Sequence, residues 1–438
     1  MGHVDSKGIF RKLGRKIDSL PLRAPWHETF YELLRELYSE KEADVLVKMP
    51  YGLSDLNRIA RVTKYESSEL QKLLDGLCSK GLVMDLWVND KYRYVPSPIM
   101  IGIFEFSMMR TGESVDSKAL ARLFNQYLTA DHGVLFARNA KNDNKVSVIR
   151  ALPHWDAIDP SEYMEVLDYE KAASIIETSE KFSIGICSCR HEKLHIGEKT
   201  CDVPLEKCSS FNIAADYLIR NKLAKEVSKS EMLENLAESV EMGLVLCADN
   251  VKRNVTFICH CCKDCCNALA GISKFGFPNT VVTSSFIARN NPDTCLGCGK
   301  CAKACPIDAI QMAPINNPQT KKKKDAIIDT SICLGCGVCA LSCNNGAVAL
   351  VKREKRVLHP ETTFERVILQ CLERGTLQNQ IFDNPQSITQ KFMRGFIGGF
   401  LRLPPVKAAL MSDMLRSSFL SAMAKGVQKQ RKGWATEL

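Results

Sequence analysis

Two short cysteine runs limit what this 438-residue chain can fold around more than anything else in it. Cys295, Cys298, Cys301 and Cys305 form a C-x2-C-x2-C-x3-C run closed by Pro306. Cys333, Cys336, Cys339 and Cys343 repeat it, with Asn344 in the place of the proline. A cubane iron–sulfur cluster takes three thiolates from one tight loop and a fourth from elsewhere. Where two such runs occur together, the fourth cysteine of each ligates the other run's cluster. The spacing therefore predicts two [4Fe-4S] clusters, one on Cys295, Cys298, Cys301 and Cys343, the other on Cys333, Cys336, Cys339 and Cys305. Gly297, Gly299, Gly335 and Gly337 let the backbone wrap close and aim its N–H groups at sulfur. Zinc knuckles would use two C-x2-C units with a longer gap and often histidine.

Nine further cysteines gather in two groups, within 187–208 and 259–266. Cys187, Cys189, Cys201 and Cys208 come first, then Cys259, Cys261, Cys262, Cys265 and Cys266 with His260 among them. Four thiolates in 187–208 can complete one cluster, and the five in 259–266 offer a second, so one or two additional iron–sulfur clusters are expected. Adjacent Cys261 and Cys262 point apart unless the backbone bends sharply, and can serve different centres. Zinc with His191, His195 or His260 stays open, as does a redox disulfide between Cys261 and Cys266. Buried free thiols behave as small hydrophobes, but nine of them beside two cluster motifs argue against that alone. Cys78, Cys247 and Cys371 stand alone in the sequence and are expected to pack.

The N-terminus lacks the apolar core of a signal peptide, and metal-spaced cysteines without an export signal point to a reducing cytoplasm. No apolar run is long enough to predict a transmembrane helix. Charge collects at the ends: residues 391–438 carry a net +7 and residues 1–24 a net +4, out of +9 overall.

Residues 27–40 space their apolar positions as a helix. Ser54-Asp55 caps a second helix reaching about Val62, and Ser67-Ser68 starts a third that stops at Lys80-Gly81. An alternating segment around Asn89-Asp90 then predicts a hairpin. Three helices and a hairpin make a winged-helix-like module. Its would-be reading helix carries Lys72 and Lys80 against Glu66, Glu69 and Asp75, so nucleic-acid binding is not expected. Residues 99–128 are expected to be helical, with Met100, Phe104, Met108 and Met109 in a core, and 139–146 to form a polar linker.

Several stretches resemble one family, bacterial multi-cluster 4Fe-4S dicluster ferredoxin-like proteins. They are PHWDAIDPSEYMEVLDYEKAASII, the ICSCR…C…C pattern, TFICHCCKDCC, FPNTVVTSSFIA, TFERVILQCLERG and IFDNPQSITQKFMRGFIGGFLRLPPVK. Cys187, Cys189, Cys201 and Cys208 match that family's first motif, and Cys259, Cys261, Cys262, Cys265 and Cys266 its second. Lys263-Asp264 and Asn344 depart from its pattern. The resemblance implies a cytoplasmic electron-transfer protein working beside flavoprotein or iron–sulfur oxidoreductase partners. The fold it implies here is α+β and multidomain. A basic segment (1–26) leads into the winged-helix-like module (27–140) and a cysteine-rich helical cluster-binding domain (147–284). A βαββαβ dicluster ferredoxin domain (285–355) and a helical basic tail (356–438) complete it.

Between the two runs, Lys321–Lys324 are expected at the tip of an enlarged hairpin, as a solvated charge run. In the tail, Phe392, Phe396, Ile397, Phe400 and Leu401 share one helical face beside Lys391, Arg394 and Arg402 until Leu403-Pro404-Pro405 breaks the helix. A basic amphipathic helix can lie on an anionic membrane surface, giving peripheral contact at the inner face, or it can cover a core.

The expected role is to pass single low-potential electrons through several clusters, as an accessory subunit in an oxidoreductase system. Neither GxGxxG nor GxxxxGK[ST] occurs, and no nucleophile–base pair is evident, so the sequence favours an electron-transfer subunit over an independent enzyme while leaving the 187–266 cysteines open as a reaction centre. Two alternatives come from other classes. A redox-responsive winged-helix DNA-binding regulator would require duplex binding at physiological salt. A thiol/disulfide reductase using Cys259–Cys266 would require turnover lost in Cys262→Ser.

Overall fold

The structure, a computed structural model, describes residues 2–112, 115–141, 144–315, 322–355, 357–430 and 432–438. Its N-terminal part is built from helices Gly2–Asp18, Glu28–Leu37, Glu40–Lys48, Leu56–Thr63 and Ser67–Ser79. Asp55 caps the fourth by accepting from the Arg58 N–H at 2.8 Å. Ser39 and Glu42 form a reciprocal capping box on the third. Strands β1 (Val83–Trp87) and β2 (Tyr92–Pro96) pair antiparallel. The turn between them holds Asn89 and Asp90 at φ 51° and 56°, as a type I′ turn demands at both central residues. The basic N-terminal segment is itself a helix, and its Phe10, Leu13 and Ile17 are buried in the same core as Phe104, Phe124 and Tyr127.

The region expected to be a cysteine-rich helical domain is built instead on a six-stranded antiparallel sheet. Its strands are β3 (Ile149–Ala151), β4 (Phe182–Ile186), β5 (Glu206–Phe211), β6 (Ala224–Val227), β7 (Val245–Asp249) and β8 (Phe257–Cys261). Their spatial order is β3-β7-β8-β5-β4-β6. The central strands β7 and β8 are covered on both faces and carry no polar alternation, whereas the edge strand β6 exposes Lys225 and Glu226. Along β7, Val245 and Cys247 enter one core while Leu246 and Ala248 enter another. The second core also takes Met232 and Leu236 from helix Lys229–Glu241. A strand buried on both sides reads as a continuous apolar run.

Over 286–352 the elements run strand, helix, two strands, helix, strand. β9 (Phe286–Asn290) precedes helix Lys300–Ala304, β10 (Ile310–Pro314) and β11 (Lys324–Ile328) follow, then helix Val338–Leu341 and β12 (Val348–Lys352). β9 pairs with β12 and β10 with β11, both antiparallel. Of the Lys321–Lys324 run expected at the hairpin tip, Lys321 lies outside the described residues, whereas Lys324 opens β11 opposite Pro314 and the Lys323 carbonyl accepts from the Ile315 N–H at 3.0 Å. Residues 142–143 of the expected linker also lie outside the described residues.

The tail forms helices Thr363–Arg374, Leu377–Ile381, Ile388–Leu401, Pro404–Met411 and Arg416–Lys429. Pro404 opens a new helix at its first position, where its missing N–H costs nothing. The apolar residues of 388–401 divide between two faces. Leu401 is buried and Ile397 packs against the tail's own core, whereas Phe392, Phe396 and Phe400 are 72%, 68% and 55% exposed. Steps of four residues hold those three on one stripe. Among the described residues, no helix is long and apolar enough to cross a membrane.

Candidate metal centres

The eight cysteines of the two repeated runs line two cavities. Cys295, Cys298, Cys301 and Cys343 line one of ≈ 160 Å³ together with Leu296 and Met312. Cys305, Cys333, Cys336 and Cys339 line the other, of ≈ 20 Å³. Cys343 and Cys305 thus each stand with three cysteines of the opposite run. Burial pushes the Cys336 thiol up to about 12, with Cys333 and Cys305 adding to it. Burial likewise raises Cys301, helped by Cys343, Cys295 and Cys298. Clustered buried thiols resist ionisation unless a cation shares the site, and a metal centre supplies that cation.

The backbone around these quartets fits iron–sulfur clusters. Gly297 and Gly335 occupy equivalent places at φ 67° and 66°. A Cβ on Gly297 would come 2.2 Å from the Lys324 carbonyl oxygen, and one on Gly335 2.0 Å from that of Phe286. Each loop therefore presses its backbone against a strand, a fit only glycine allows. The Ala309 N–H donates to Cys305 Sγ at 3.2 Å, and the Gly297 N–H to Cys295 Sγ at 3.4 Å. Such N–H···S bonds tune a cluster's potential.

The central cysteines regroup across the two sequence segments that were expected to form one site each. In the sheet, Cys247 on β7 faces Cys259 on β8. The β5–β8 register of Ser209 with Ile258 sets Cys208 beside Cys259, and those two thiols interact. Facing residues of antiparallel strands share a side of the sheet, and Cys261, two residues on, shares it too. Cys187 and Cys266 cap helices Ser188–His195 and Asn267–Ser273. Cys187 meets Cys189, Cys189 meets Cys266, and Cys266 meets Cys261. Cys261 in turn touches Cys247 and feels the charge of Cys187. Contact with Cys247 and burial push the Cys261 thiol up, against an opposing pull from Cys266.

Cys201, Cys262 and Cys265 form a separate group. Cys201 Sγ lies 3.6 Å from both Cys262 Sγ and Cys265 Sγ. The Cys262 thiol is drawn down to about 5 by its contact with Cys265, with the Arg190 guanidinium contributing. Arg190 donates to the His260 carbonyl and lies against the Cys187 and Cys262 thiols, so it stands between the two thiol groups.

The histidines raised as zinc ligands are engaged elsewhere. His260 Nε2 pairs with Ser209 Oγ at 2.8 Å, and burial holds its pKa down to about 3. His191 bonds the Met108 carbonyl oxygen through Nδ1 at 2.6 Å and His195 through Nε2 at 2.9 Å. Cys247, expected only to pack, joins the thiol face. Its sole signal is strand register, which an isolated cysteine in a buried run does not reveal. Cys78 and Cys371 are buried in the N-terminal and tail cores.

One apolar core carries both cysteine regions: Cys247, Cys261 and Cys266 share it with Cys301, Cys305, Cys333, Cys336 and Cys339. The His154 N–H donates to the Cys336 carbonyl at 3.0 Å, and its Nε2 pairs with the Leu244 carbonyl at 2.8 Å just before β7. No curated protein and no solved structure matches the chain. Residues 294–347 match the family model described as a 4Fe-4S dicluster domain, so this part of the chain is an iron–sulfur, ferredoxin-like domain.

Proposed function

We propose that the chain is an electron-transfer protein, passing single low-potential electrons through its clusters between partner oxidoreductases as an accessory subunit. When bound, each cluster supplies a centre that accepts and releases one electron. The observation that carries the reading is the shared apolar core, in which the interleaved quartets adjoin the Cys187, Cys189, Cys261 and Cys266 group. That group supports a third cluster. The protein's own part is to bury the thiolates, exclude water around them, aim N–H groups at Cys295 and Cys305, and hold the loops at fixed spacing. Arg190 offsets thiolate charge on the central side. Stepwise reduction with dithionite under electron paramagnetic resonance tests the reading: signals from interacting reduced clusters are expected, and a protein silent at every potential refutes it.

A flavoprotein or iron–sulfur oxidoreductase suits such a role as donor or acceptor, and a cytoplasmic setting suits its free thiols. The outward stripe of Phe392, Phe396 and Phe400 beside Lys391, on a tail of net positive charge, supports peripheral contact with an anionic membrane surface. Charge argues against the DNA-binding alternative, since Lys80 Nζ is already 2.8 Å from Glu42 Oε1. Thiol–disulfide exchange keeps one supporting observation: Cys208 and Cys259 interact and both line an apolar cavity of ≈ 500 Å³. Turnover of a dithiol or disulfide substrate that survives Cys259→Ser removes that reading.

A further inference from the structure

The Cys201, Cys262 and Cys265 group differs in scale from the other cysteine sites. Its three sulfurs all lie within 4.8 Å of one another, and among the described residues no other set of three His, Cys, Asp or Glu ligand atoms is so close. The quartets of the repeated runs are wider, as a core of four irons and four sulfides requires. A single tetrahedral ion with metal–sulfur bonds of about 2.3 Å sets its sulfurs about 3.8 Å apart. The observed 3.6 Å separations fit one ion and leave no room for a cubane.

The ligand pattern points the same way. Cys262-Lys-Asp-Cys265 is a C-x2-C unit in the turn between β8 and helix Asn267–Ser273, the chelating element common in structural zinc sites. Cys201 arrives from the loop before β5, so an ion here closes that loop onto the sheet. Leu244 and Val203 pack around the thiols and keep water from their apolar side. Arg190 is 1% exposed, lies against Cys262, and offsets part of the negative charge that three thiolates leave on a divalent ion.

We propose that Cys201, Cys262 and Cys265 bind one zinc(II) ion, separate from the iron–sulfur clusters. Among the described residues no fourth His, Cys, Asp or Glu joins them, so the remaining tetrahedral position is left for a ligand from solution, either water or a small-molecule thiolate. Zinc sites that keep such a position are reactive rather than purely structural. The site is independent of electron transfer, because zinc has no redox chemistry.

The test is zinc and iron measured together on the full chain purified without oxygen, with zinc K-edge absorption on the same sample. About one zinc per chain is expected, bound by about three sulfurs and one lighter atom in protein washed free of small thiols, with a fourth sulfur only when a small-molecule thiolate is supplied. Cys201→Ser is expected to lower bound zinc at least about tenfold with iron unchanged. Cobalt(II) offered to zinc-depleted protein reports the site without relying on any variant to fold, through the thiolate-to-metal absorption of a tetrahedral centre. Wild-type protein without zinc, no such cobalt band, or iron lost in step with Cys201→Ser overturns the proposal. A zinc result either way leaves the iron count, and the electron-transfer reading, to stand or fall alone.

Discussion

Lys263 Nζ lies 2.6 Å from Asp308 Oδ1, tying the Cys262–Cys265 turn to the residues just beyond Cys305. The pair joins the central sheet to the loop that carries the crossed ligand of the second quartet. It is also substantially exposed, and exposed ion pairs contribute about 0.2–1 kcal/mol. The apolar core beneath is therefore the stronger tether. Lys263→Ala is expected to lower unfolding free energy by less than about 1 kcal/mol and to leave metal content intact. Denaturant melts and metal analysis of the variant check this, and a larger loss makes the ion pair the principal link.

Gly335 and Gly346 separate backbone strain from steric collision. Both have positive φ, but a Cβ on Gly346 meets nothing within 4 Å, whereas one on Gly335 meets the Phe286 oxygen at 2.0 Å. Gly346→Ala should cost only the left-handed penalty of about 1–2 kcal/mol and keep its iron. Gly335→Ala must displace the loop that holds Cys333 and Cys336, and should lose about half of the dicluster iron. Equal iron in the two variants contradicts the close-packed loop.

Glu105 gives a pH test. Burial pushes its carboxyl up to about 7, although it accepts from the Gly102 N–H at 3.0 Å. A native carboxyl with a raised pKa favours the protonated state. The unfolded chain ionises first, so stability is greatest below about 4.5 and falls as pH rises towards 7. Glu105→Gln removes that slope. The variant should match wild type near pH 4 and exceed it at pH 8 by up to about 3 kcal/mol, an upper bound because the side chain borders a cavity. Urea melts at the two pH values decide it, and a difference independent of pH contradicts the buried carboxyl.

Local chemistry was legible where one or two residues dictate it. Asp55, the Asn89-Asp90 turn and the Lys80-Gly81 stop all fall at the ends of the elements they predict. The helix Gly2–Asp18 was equally legible, since Ile9, Phe10, Leu13 and Ile17 recur at helical spacing among the basic residues that mark 1–26. The central sheet was hidden because Val245–Asp249 and Phe257–Cys261 bury both faces and lose the period of two. The division of the central cysteines was hidden for a related reason. Cys247 meets Cys261, and Cys201 meets Cys262, only through strand pairing and loop closure that no sequence spacing records.

The tail's aromatic stripe can be removed without touching its core. Phe392→Ser, Phe396→Ser and Phe400→Ser combined should leave thermal stability unchanged, because these rings face outward. The same variant should bind vesicles of anionic lipid about tenfold more weakly, with wild-type binding reduced by salt. Co-sedimentation measures this, and equal binding by both proteins places membrane contact elsewhere or nowhere.

Iron and acid-labile sulfide counted per chain, in protein prepared without oxygen, test the central claim most directly. About twelve of each are expected, from the two interleaved quartets and the Cys187, Cys189, Cys261 and Cys266 group, with about four lost in Cys305→Ser. A colourless protein whose only metal is zinc contradicts the account.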